Sequence, residues 1–400
     1  MPMTATARSM VRRVKTGAGR LAIDLGLPPA SIGLQFVRQE TPHEHVLRVR
    51  SGTELASSCE LIHPEAVARN PLPFNIADRS ALPDEKGWWG YSMRDVPERR
   101  SAPTYLARIA DAKVITCRDE WGEFYPAILT SDNRALNLRE IVLRPMHAKV
   151  LRGDPPIRRL KRAVWFCERV YDNHSHWLTA HLPKLCLLRD RGELEHVLLP
   201  EQLTPAMQAT LRMLDLDPAA FPTFRIGEVL QVEELTAVVT DRFRAELLRP
   251  VRDALAPPGR ATANRRIYIS RAKAARRRLA NEAEVWPLFE QAGFERVFME
   301  ELGFAEQVQL MAETQVLAAP HGAGLTNMIF CPPGAHVIEI AWLGFPNPNF
   351  YALASAMDLG YGLVPAQECG GAADPLQRDM TVQPAAVRDI LAMLEERLAT

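Results

Sequence analysis

The sequence predicts an α/β protein in which short apolar strands alternate with amphipathic helices and glycine-rich turns. Three observations support this prediction. Residues 316–319 are an apolar run that passes through Gly322 and Gly324 into helical spacing. A second apolar run, 267–269, ends in a basic stretch, and Ala-Pro-Pro-Gly at 256–259 divides the alternation into two halves. We therefore expect two Rossmann-like units built on parallel sheets, the first of them fed by a small antiparallel meander over 105–144.

Composition excludes several classes of function. The 400 residues contain 48 Lys plus Arg and 48 Asp plus Glu, so no global charge attracts nucleic acid. Six scattered cysteines form no C-x-x-C pair and no Cys/His ligand spacing, which argues against a structural metal and favours reduced thiols. No window holds eighteen uninterrupted apolar residues, and no export signal is recognisable, so we expect a cytoplasmic protein.

The sequence also predicts the nature of the N-terminal segment and the limits of the domains. Residues 1–30 hold five basic side chains among small and apolar ones, a pattern that fits either a frayed terminus, which we favour, or peripheral contact with the inner membrane face. We expect an N-terminal extension over 1–100, a first unit over 101–255, a second unit over 260–370, and a C-terminal helix over 382–400 that packs back on the first unit.

The turn after residues 316–319 is the strongest candidate for a binding site. His321 lies at the strand tip, and Gly322 and Gly324 allow the backbone to approach a ligand closely. The N-terminus of the following helix favours phosphate, although a lone histidine beside glycines also serves to stabilise a turn. Glu339 ends a buried strand and requires a partner, either a sugar or ribose hydroxyl or Arg271.

The strand at 266–269 predicts a second part of the same site. Its carboxyl end delivers Ser270 and Arg271 to the crevice beyond the sheet, and further basic residues follow up to position 278. A basic loop of this kind is often only a solvated surface. At a strand end it favours an anion clamp made by Arg271 with Arg277 or Arg278.

Histidines cluster at the start of a helix predicted after residue 173. Asp172 or Asn173 is a suitable N-cap for this helix. His176 and His181 are five residues apart and point about 140° away from each other, which argues against a shared metal ion. His176 is therefore either a general base or a helix-start histidine bound to a backbone group.

Three ordered motifs resemble glycosyltransferase family 61. The resemblance extends over about 164–364. The first motif is His321-Gly-Ala-Gly-Leu-Thr-Asn327, followed by Phe330 and Val337-Ile-Glu-Ile340. The second is Tyr268-Ile-Ser-Arg271 with Asn281-Glu282, and the third is Asn173-x-x-His176-Trp177 with Leu182-Pro183 and Leu185. Two positions depart from the family pattern. His174 stands where the family usually has an aromatic residue, and Gln383 stands where it usually has an acidic one.

The resemblance implies a GT-B-like enzyme, with two Rossmann-like domains facing a cleft, that transfers a sugar with inversion and without a metal or other cofactor. The implied substrates are a nucleotide-sugar donor and a glycan or glycolipid acceptor in surface or capsular polysaccharide synthesis. His176 is the candidate base. Candidates for binding the donor and its phosphates are Ser270, Arg271, Arg277, His321, Gly322, Ala323, Gly324, Leu325, Asn327 and Glu339. Candidates on the acceptor side are Asn173, His174 and Trp177, and second-tier candidates are Asn281, Glu282 and Gln307.

Two other classes of protein remain open. A nucleotide-cofactor oxidoreductase is disfavoured because no strand is followed by G-x-G-x-x-G with an acidic residue about twenty positions later. A non-catalytic nucleotide- or glycan-binding protein of the same fold is compatible with the pattern. Against this class stands the intact set Arg271, Asn281, Glu282, His321 and Glu339.

Overall fold

The computed structural model describes residues 37–49, 57–87, 89–257, 263–372 and 374–399. The basic segment 1–30 and half of the linker at 256–259 lie outside these ranges, so the membrane contact and the domain limits stay predictions. No helix within the described ranges is long and apolar enough to cross a membrane.

Strands form two larger sheets and two small ones in this part of the chain. Numbered along the chain, they are β1 (Gln39–Glu40), β2 (Ser58–His63), β3 (Ala66–Arg69), β4 (Glu98–Ser101), β5 (Thr104–Arg118), β6 (Phe124–Leu129), β7 (Ala135–Leu136), β8 (Ile157–Trp165), β9 (Leu199–Pro200), β10 (Thr223–Phe224), β11 (Val229–Val239), β12 (Arg265–Ile269), β13 (Phe294–Val297), β14 (Thr314–Pro320), β15 (His336–Trp342), β16 (Gly360–Cys369) and β17 (Asp379–Val382).

Helices cover and connect these sheets. The α-helices are α1 (Pro42–Val49), α2 (His147–Arg152), α3 (His174–His176), α4 (Leu182–Asp190), α5 (Pro205–Met213), α6 (Ala245–Leu255), α7 (Glu282–Gln291), α8 (Phe304–Ala312), α9 (Asn349–Ala356) and α10 (Pro384–Leu398). A π-helical turn, Trp177–His181, joins α3 to α4. The turn after β14 continues as a 3₁₀ helix, Ala323–Phe330. Other 3₁₀ turns lie at Arg79–Ala81, Met93–Asp95, Pro218–Ala220, Met299–Glu301 and Pro375–Gln377.

The first sheet differs from the parallel sheet predicted for residues 101–255. Its order is β1-β7-β6-β5-β11-β8 with β2 also on β5, and β5 pairs antiparallel with β2, β6 and β11. The Rossmann-like prediction is therefore wrong for this sheet. Glu234 interrupts the apolar pattern of residues 229–239 without ending the strand. It lies on the exposed side of the single strand β11 and pairs across to Arg162 of β8 at 3.0 Å.

The second sheet has the parallel pairing that the sequence predicts. Its order is β13-β12-β14-β15-β16-β17, parallel throughout except for the antiparallel edge strand β17. From β12 the chain first adds β13 on one side and then β14 on the other. This reversal creates a crevice between the carboxyl ends of β12 and β14, the position where ligands bind to open α/β sheets.

Apolar side chains alternate on the two faces of the second sheet. Tyr268 and Val316 face a cluster formed with α7 and α10, whereas Ile267 and Leu317 face a core that continues through Trp165 into the first sheet. Because the core on the side of Ile267 and Leu317 continues into the first sheet, helices from both halves of the chain pack together. Helix α6, for example, packs on the 3₁₀ helix Ala323–Phe330.

The C-terminal helix packs differently from the prediction. Helix α10 places Val387, Ile390 and Leu394 against α7 and β16 of the second sheet instead of crossing onto the first sheet. Arg266 at the start of β12 also pairs with Glu395 of this helix. The apolar stripe that the sequence identified is correct. Its partner is the second sheet, because that face would otherwise expose Val285 and Phe289 of α7 to water.

Candidate functional site

The crevice at the carboxyl edge of the second sheet brings together two of the predicted segments. Ser270 and Arg271 follow β12 directly, and His321 and Gly322 follow β14. A methyl group built on Gly322 would lie 2.1 Å from Nη1 of Arg271 and 2.7 Å from its Cζ. The absence of a side chain at Gly322 is therefore what allows the guanidinium to lie across the turn.

Two half-buried arginines lie side by side in this crevice. Arg271 donates from Nε to the carbonyl of Arg277 at 2.9 Å and from Nη2 to the carbonyl of Arg276 at 2.8 Å. Burial lowers the pKa of Arg271, and burial together with the neighbouring Arg271 lowers the pKa of Arg277 to about 10. Both stay protonated at neutral pH. Nε of Arg277 is buried and has no hydrogen-bond partner among the described residues, so this donor is available to an anion.

Lys273 and Arg278, two of the other basic residues of the loop, are paired elsewhere. Arg278 binds Asp379 at 2.8 Å, and Lys273 pairs with Glu301. Of the two alternatives that the sequence left open beside Arg271, the structure therefore places Arg277 in the crevice. Arg277 adopts a left-handed backbone conformation, φ 53°, which folds the loop back over Arg271.

Ser270, Asn281 and Glu282 hold this loop in position. The hydroxyl of Ser270 donates to the buried carboxylate of Glu282, which also accepts the backbone N–H of Arg271 at 3.4 Å. The side chain of Asn281 bonds to both the N–H and the carbonyl of Val382 in β17. These contacts are internal, so in this structure the three residues position Arg271.

Glu339 finds its partners within the protein. Its side chain is fully buried, and it accepts hydrogen bonds from Nδ1 of His321 and from the hydroxyl of Tyr361. Burial, reinforced by the Glu339 carboxylate, raises the pKa of Tyr361 well above its usual value. The sequence had offered Arg271 or a sugar hydroxyl as the partner of Glu339. Because Nδ1 of His321 carries the proton, its Nε2 is left to accept from Asn347 at 3.3 Å.

Asn327 and Gln307 form an internal polar chain. Nε2 of His174 contacts Oδ1 of Asn327 at 2.8 Å, and Nδ2 of Asn327 donates to Oε1 of Gln307 at 2.8 Å. Gln307 in turn donates to the carbonyls of Met299 and Leu302. Burial lowers the pKa of His174, so the neutral ring joins α3 to the 3₁₀ helix. The polar groups of Asn327 and Gln307, which we expected near the donor, are engaged in this link.

The other residues of the turn act through their backbone. Leu325 is buried in the core, and its N–H donates to the carbonyl of Gly322 at 3.0 Å. Ala323 and Gly324 begin the 3₁₀ helix, where the first N–H groups have no partner within the helix. The predicted helix is thus present in a tighter form, and its N-terminus faces the crevice.

Helix α3 supplies the candidate base. The side chain of Asn173 accepts the N–H groups of Ser175 and His176, which confirms the predicted N-cap. Burial lowers the pKa of His176 well below its usual value, and Arg242 and Arg139 contribute to the same shift. The ring is therefore neutral, and its buried Nδ1 has no partner in the part of the chain that the structure describes. Trp177 is buried and donates from its indole to Thr210 at 2.8 Å, a structural contact.

Sequence reasoning missed a buried charge network beneath α3. Glu168 pairs with both Arg139 and Lys184, and its N–H donates to Nε2 of His181 at 3.0 Å. Nδ1 of His181 then donates to the carbonyl of His176 at 2.9 Å. Burial lowers the pKa of His181 to about 3. No spacing in the sequence marks these residues as partners.

The N-terminal region also reaches the site, through Tyr91. Its hydroxyl donates to Asn349 at 3.0 Å, and the N–H of Asn349 donates to Asn347, which contacts His321. The loop before α9 is thereby tied to the crevice. Among the described residues, no group of three or more histidines, cysteines and carboxylates has an arrangement suited to a metal ion.

Comparison with protein families identifies the segment that carries this site. The family model described as Glycosyltransferase 61 matches residues 174–338. This segment is therefore similar to glycosyltransferase family 61, in agreement with the resemblance of its motifs. The match begins at His174 on α3, includes Arg271 and His321, and ends one residue before Glu339. No curated protein matches the chain. The similarity supports a glycosyltransferase, a class of enzyme that acts on a donor and an acceptor.

Proposed function

We propose that this protein is a family 61 glycosyltransferase that binds a nucleotide sugar at the carboxyl edge of the second sheet and transfers the sugar, with inversion and without a metal ion, to a hydroxyl group. The close approach of Arg271 to Gly322 is the observation that carries the proposal. It holds a half-buried cation at the switch point of a parallel sheet, beside the N-terminus of a helix.

The donor side supplies positive charge without a metal. Arg271 and Arg277 are both cationic at neutral pH, and bidentate guanidinium groups match the geometry of phosphate oxygens. As the bond between the anomeric carbon and the diphosphate oxygen breaks, negative charge grows on that oxygen. Fixed cations stabilise this charge more strongly in a buried crevice than in water.

The acceptor side supplies the base. In the proposed reaction the acceptor hydroxyl attacks the anomeric carbon from the face opposite the diphosphate, and its proton passes to His176. A neutral imidazole with a low pKa has a free lone pair at pH 7. His321 is the second candidate, because its bond to Glu339 fixes the tautomer and would stabilise the ring once it is protonated.

The wider setting of the reaction follows from the family. We propose a cytoplasmic enzyme whose acceptor is a glycan or a glycolipid, in the synthesis of a surface or capsular polysaccharide or glycoconjugate. The placement of residues 101–255 on the acceptor side and of residues 260–370 on the donor side belongs to the same proposal.

Thermal unfolding with a panel of nucleoside diphosphates, nucleotide sugars and NAD(P), each with and without EDTA, tests the proposal. A ligand at a hundred times its Kd adds about 2.7 kcal/mol of stability, which shifts the Tm measurably. We expect a nucleotide to raise the Tm in EDTA, the Arg271→Gln variant to lose this shift, and the His176→Gln variant to keep it while losing turnover. A response to NAD(P) alone, or loss of the shift in EDTA, contradicts the proposal.

A further inference from the structure

Arg242 is a buried cation without a carboxylate partner. Only 8% of the residue is exposed, and no carboxylate of the described residues lies within ion-pair distance of it. Arg99, Arg139 and Arg244 are also poorly exposed, and each has such a partner, namely Asp241, Glu168 and Glu246. Burying an uncompensated charge is costly, so an unpaired buried arginine requires an explanation.

Neutral groups satisfy only part of the Arg242 guanidinium. Its Nε donates to the hydroxyl of Thr179 at 2.7 Å, and its Nη2 donates to the carbonyl and the hydroxyl of Ser175 at 3.2 and 3.0 Å. These bonds fix the plane of the group on the turn that follows α3. Within the described residues no hydrogen bond involves Nη1, which leaves one edge of the guanidinium for a ligand.

The surroundings of Arg242 have an excess of positive charge. Arg139, Lys184 and Arg242 are three cations around one buried carboxylate, Glu168, which binds the first two. Burial lowers the pKa of Arg242 to about 9, so it is still charged at neutral pH. Glu140 attracts it only from beyond ion-pair distance.

The position of Arg242 places this charge beside the candidate base. Its partner Ser175 immediately precedes His176, whose buried Nδ1 has no partner among the described residues. Arg99 donates to the carbonyl of Arg242 at 2.9 Å and also stacks on Tyr91, which leads through Asn349 to the loop beside His321. A group bound to Arg242 therefore lies next to the acceptor hydroxyl of the proposed reaction.

We propose that the acceptor of this enzyme carries a carboxylate group, which Arg242 binds beside His176. This inference rests on the proposed function, because it assumes that His176 faces the acceptor. Arg271 and Arg277 then bind the donor diphosphate, and Arg242 selects the acceptor. A neutral sugar leaves Arg242 buried and unpaired, so it binds less tightly than an acidic sugar of the same shape.

Binding of D-glucuronate and of D-glucose, measured by titration at constant ionic strength, tests this selection. The titrations are made with the protein alone and with a saturating nucleoside diphosphate, UDP or GDP, whichever raises the Tm. We expect glucuronate to bind at least about tenfold more tightly than glucose, with or without the diphosphate. The Arg242→Gln variant should lose this preference, and the Arg271→Gln variant, titrated without diphosphate, should retain it.

Arg244→Gln is the matched control, because Arg244 is also buried and donates to two backbone carbonyls but lies outside this cluster. Its preference for glucuronate should equal that of the wild type. If Arg242→Gln does not fold, Arg242→Lys keeps the charge and should retain part of the preference. The wild-type comparison of the two sugars needs no variant.

Three results overturn the inference. Equal affinity for glucuronate and glucose shows that no anion is selected. Competition between glucuronate and the diphosphate, with loss of diphosphate binding in Arg242→Gln, assigns Arg242 to the donor and leaves the proposed function intact. Unchanged glucuronate affinity in Arg242→Gln places the anion elsewhere. A wild type that binds no nucleotide refutes the proposed function instead, and glucuronate titrated alone still decides the anion site.

Discussion

Replacing Gly322 with alanine should weaken donor binding and leave the fold intact. The new methyl group would start 2.1 Å from Nη1 of Arg271, and a separation of at least 3.0 Å is needed. The guanidinium must therefore move by about 1 Å or more. Because the φ of Gly322 is 177°, an extended conformation open to any residue, the backbone itself is not strained.

The displacement has a calculable effect on stability and on binding. Arg271 would lose its bonds to the carbonyls of Arg276 and Arg277, which contribute about 1 kcal/mol each, so the free energy of unfolding should fall by about 2 kcal/mol. A charge-assisted contact with phosphate contributes about 1.5–3 kcal/mol. Its loss should raise the Kd for the nucleoside diphosphate by roughly 10- to 150-fold.

Isothermal titration with the nucleoside diphosphate measures this effect, and Gly324→Ala is the matched control. A methyl group on Gly324 would lie 3.4 Å from Ile269, an ordinary contact, so its Kd should stay within about twofold of the wild-type value. In an Arg271→Gln background, Gly322→Ala should add nothing further. Full affinity in Gly322→Ala, or effects that add in the double variant, would refute the reasoning.

Three further predictions concern α3 and the charges beneath it. The His176→Gln variant should lower kcat by about 10²–10⁴-fold with an unchanged nucleotide Kd. In the wild type, the acidic limb of the pH profile of kcat should lie well below pH 6.5, because burial lowers the pKa of His176. An acidic limb near pH 6.5 argues for another base. Burial lowers the pKa of His181 from about 6.5 in the unfolded chain to about 3 in the folded protein. The contribution of its neutral ring to stability is therefore complete above pH 6.5 and is lost as the pH falls towards 3. We expect the free energy of unfolding, measured with urea between pH 6 and 4.5, to change less steeply with pH in His181→Asn than in the wild type, by about 1.4 kcal/mol per pH unit. Equal slopes in the two proteins would contradict the buried neutral ring. Glu168→Gln should lower the free energy of unfolding by about 3–5 kcal/mol because Arg139 and Lys184 lose their shared carboxylate, and a loss below about 1 kcal/mol in the same assay would show that water reaches this network.

Local pattern was sufficient for the second sheet and the ends of its strands. The apolar runs at 267–269 and 316–319 lie within β12 and β14, and Asn173 caps α3 as its side-chain chemistry predicts. The binding turn could be located because glycine and helix-capping residues report on their immediate neighbours along the chain. Arg271 and Gly322 were both expected in the site for this reason, although their contact was not.

Pairings across the chain were decided only in the tertiary structure. The partners of Glu339 are 18 and 22 residues away, and Arg242 is 67 residues from Ser175. The antiparallel first sheet, the packing of α10 and the charge network around Glu168 are of the same kind. A sequence records which side chains are apolar, charged or flexible, and so determines which strands and turns form. Which buried charge meets which partner depends on how the sheets and helices pack, because burial makes the unpaired state costly wherever the partner lies in the chain.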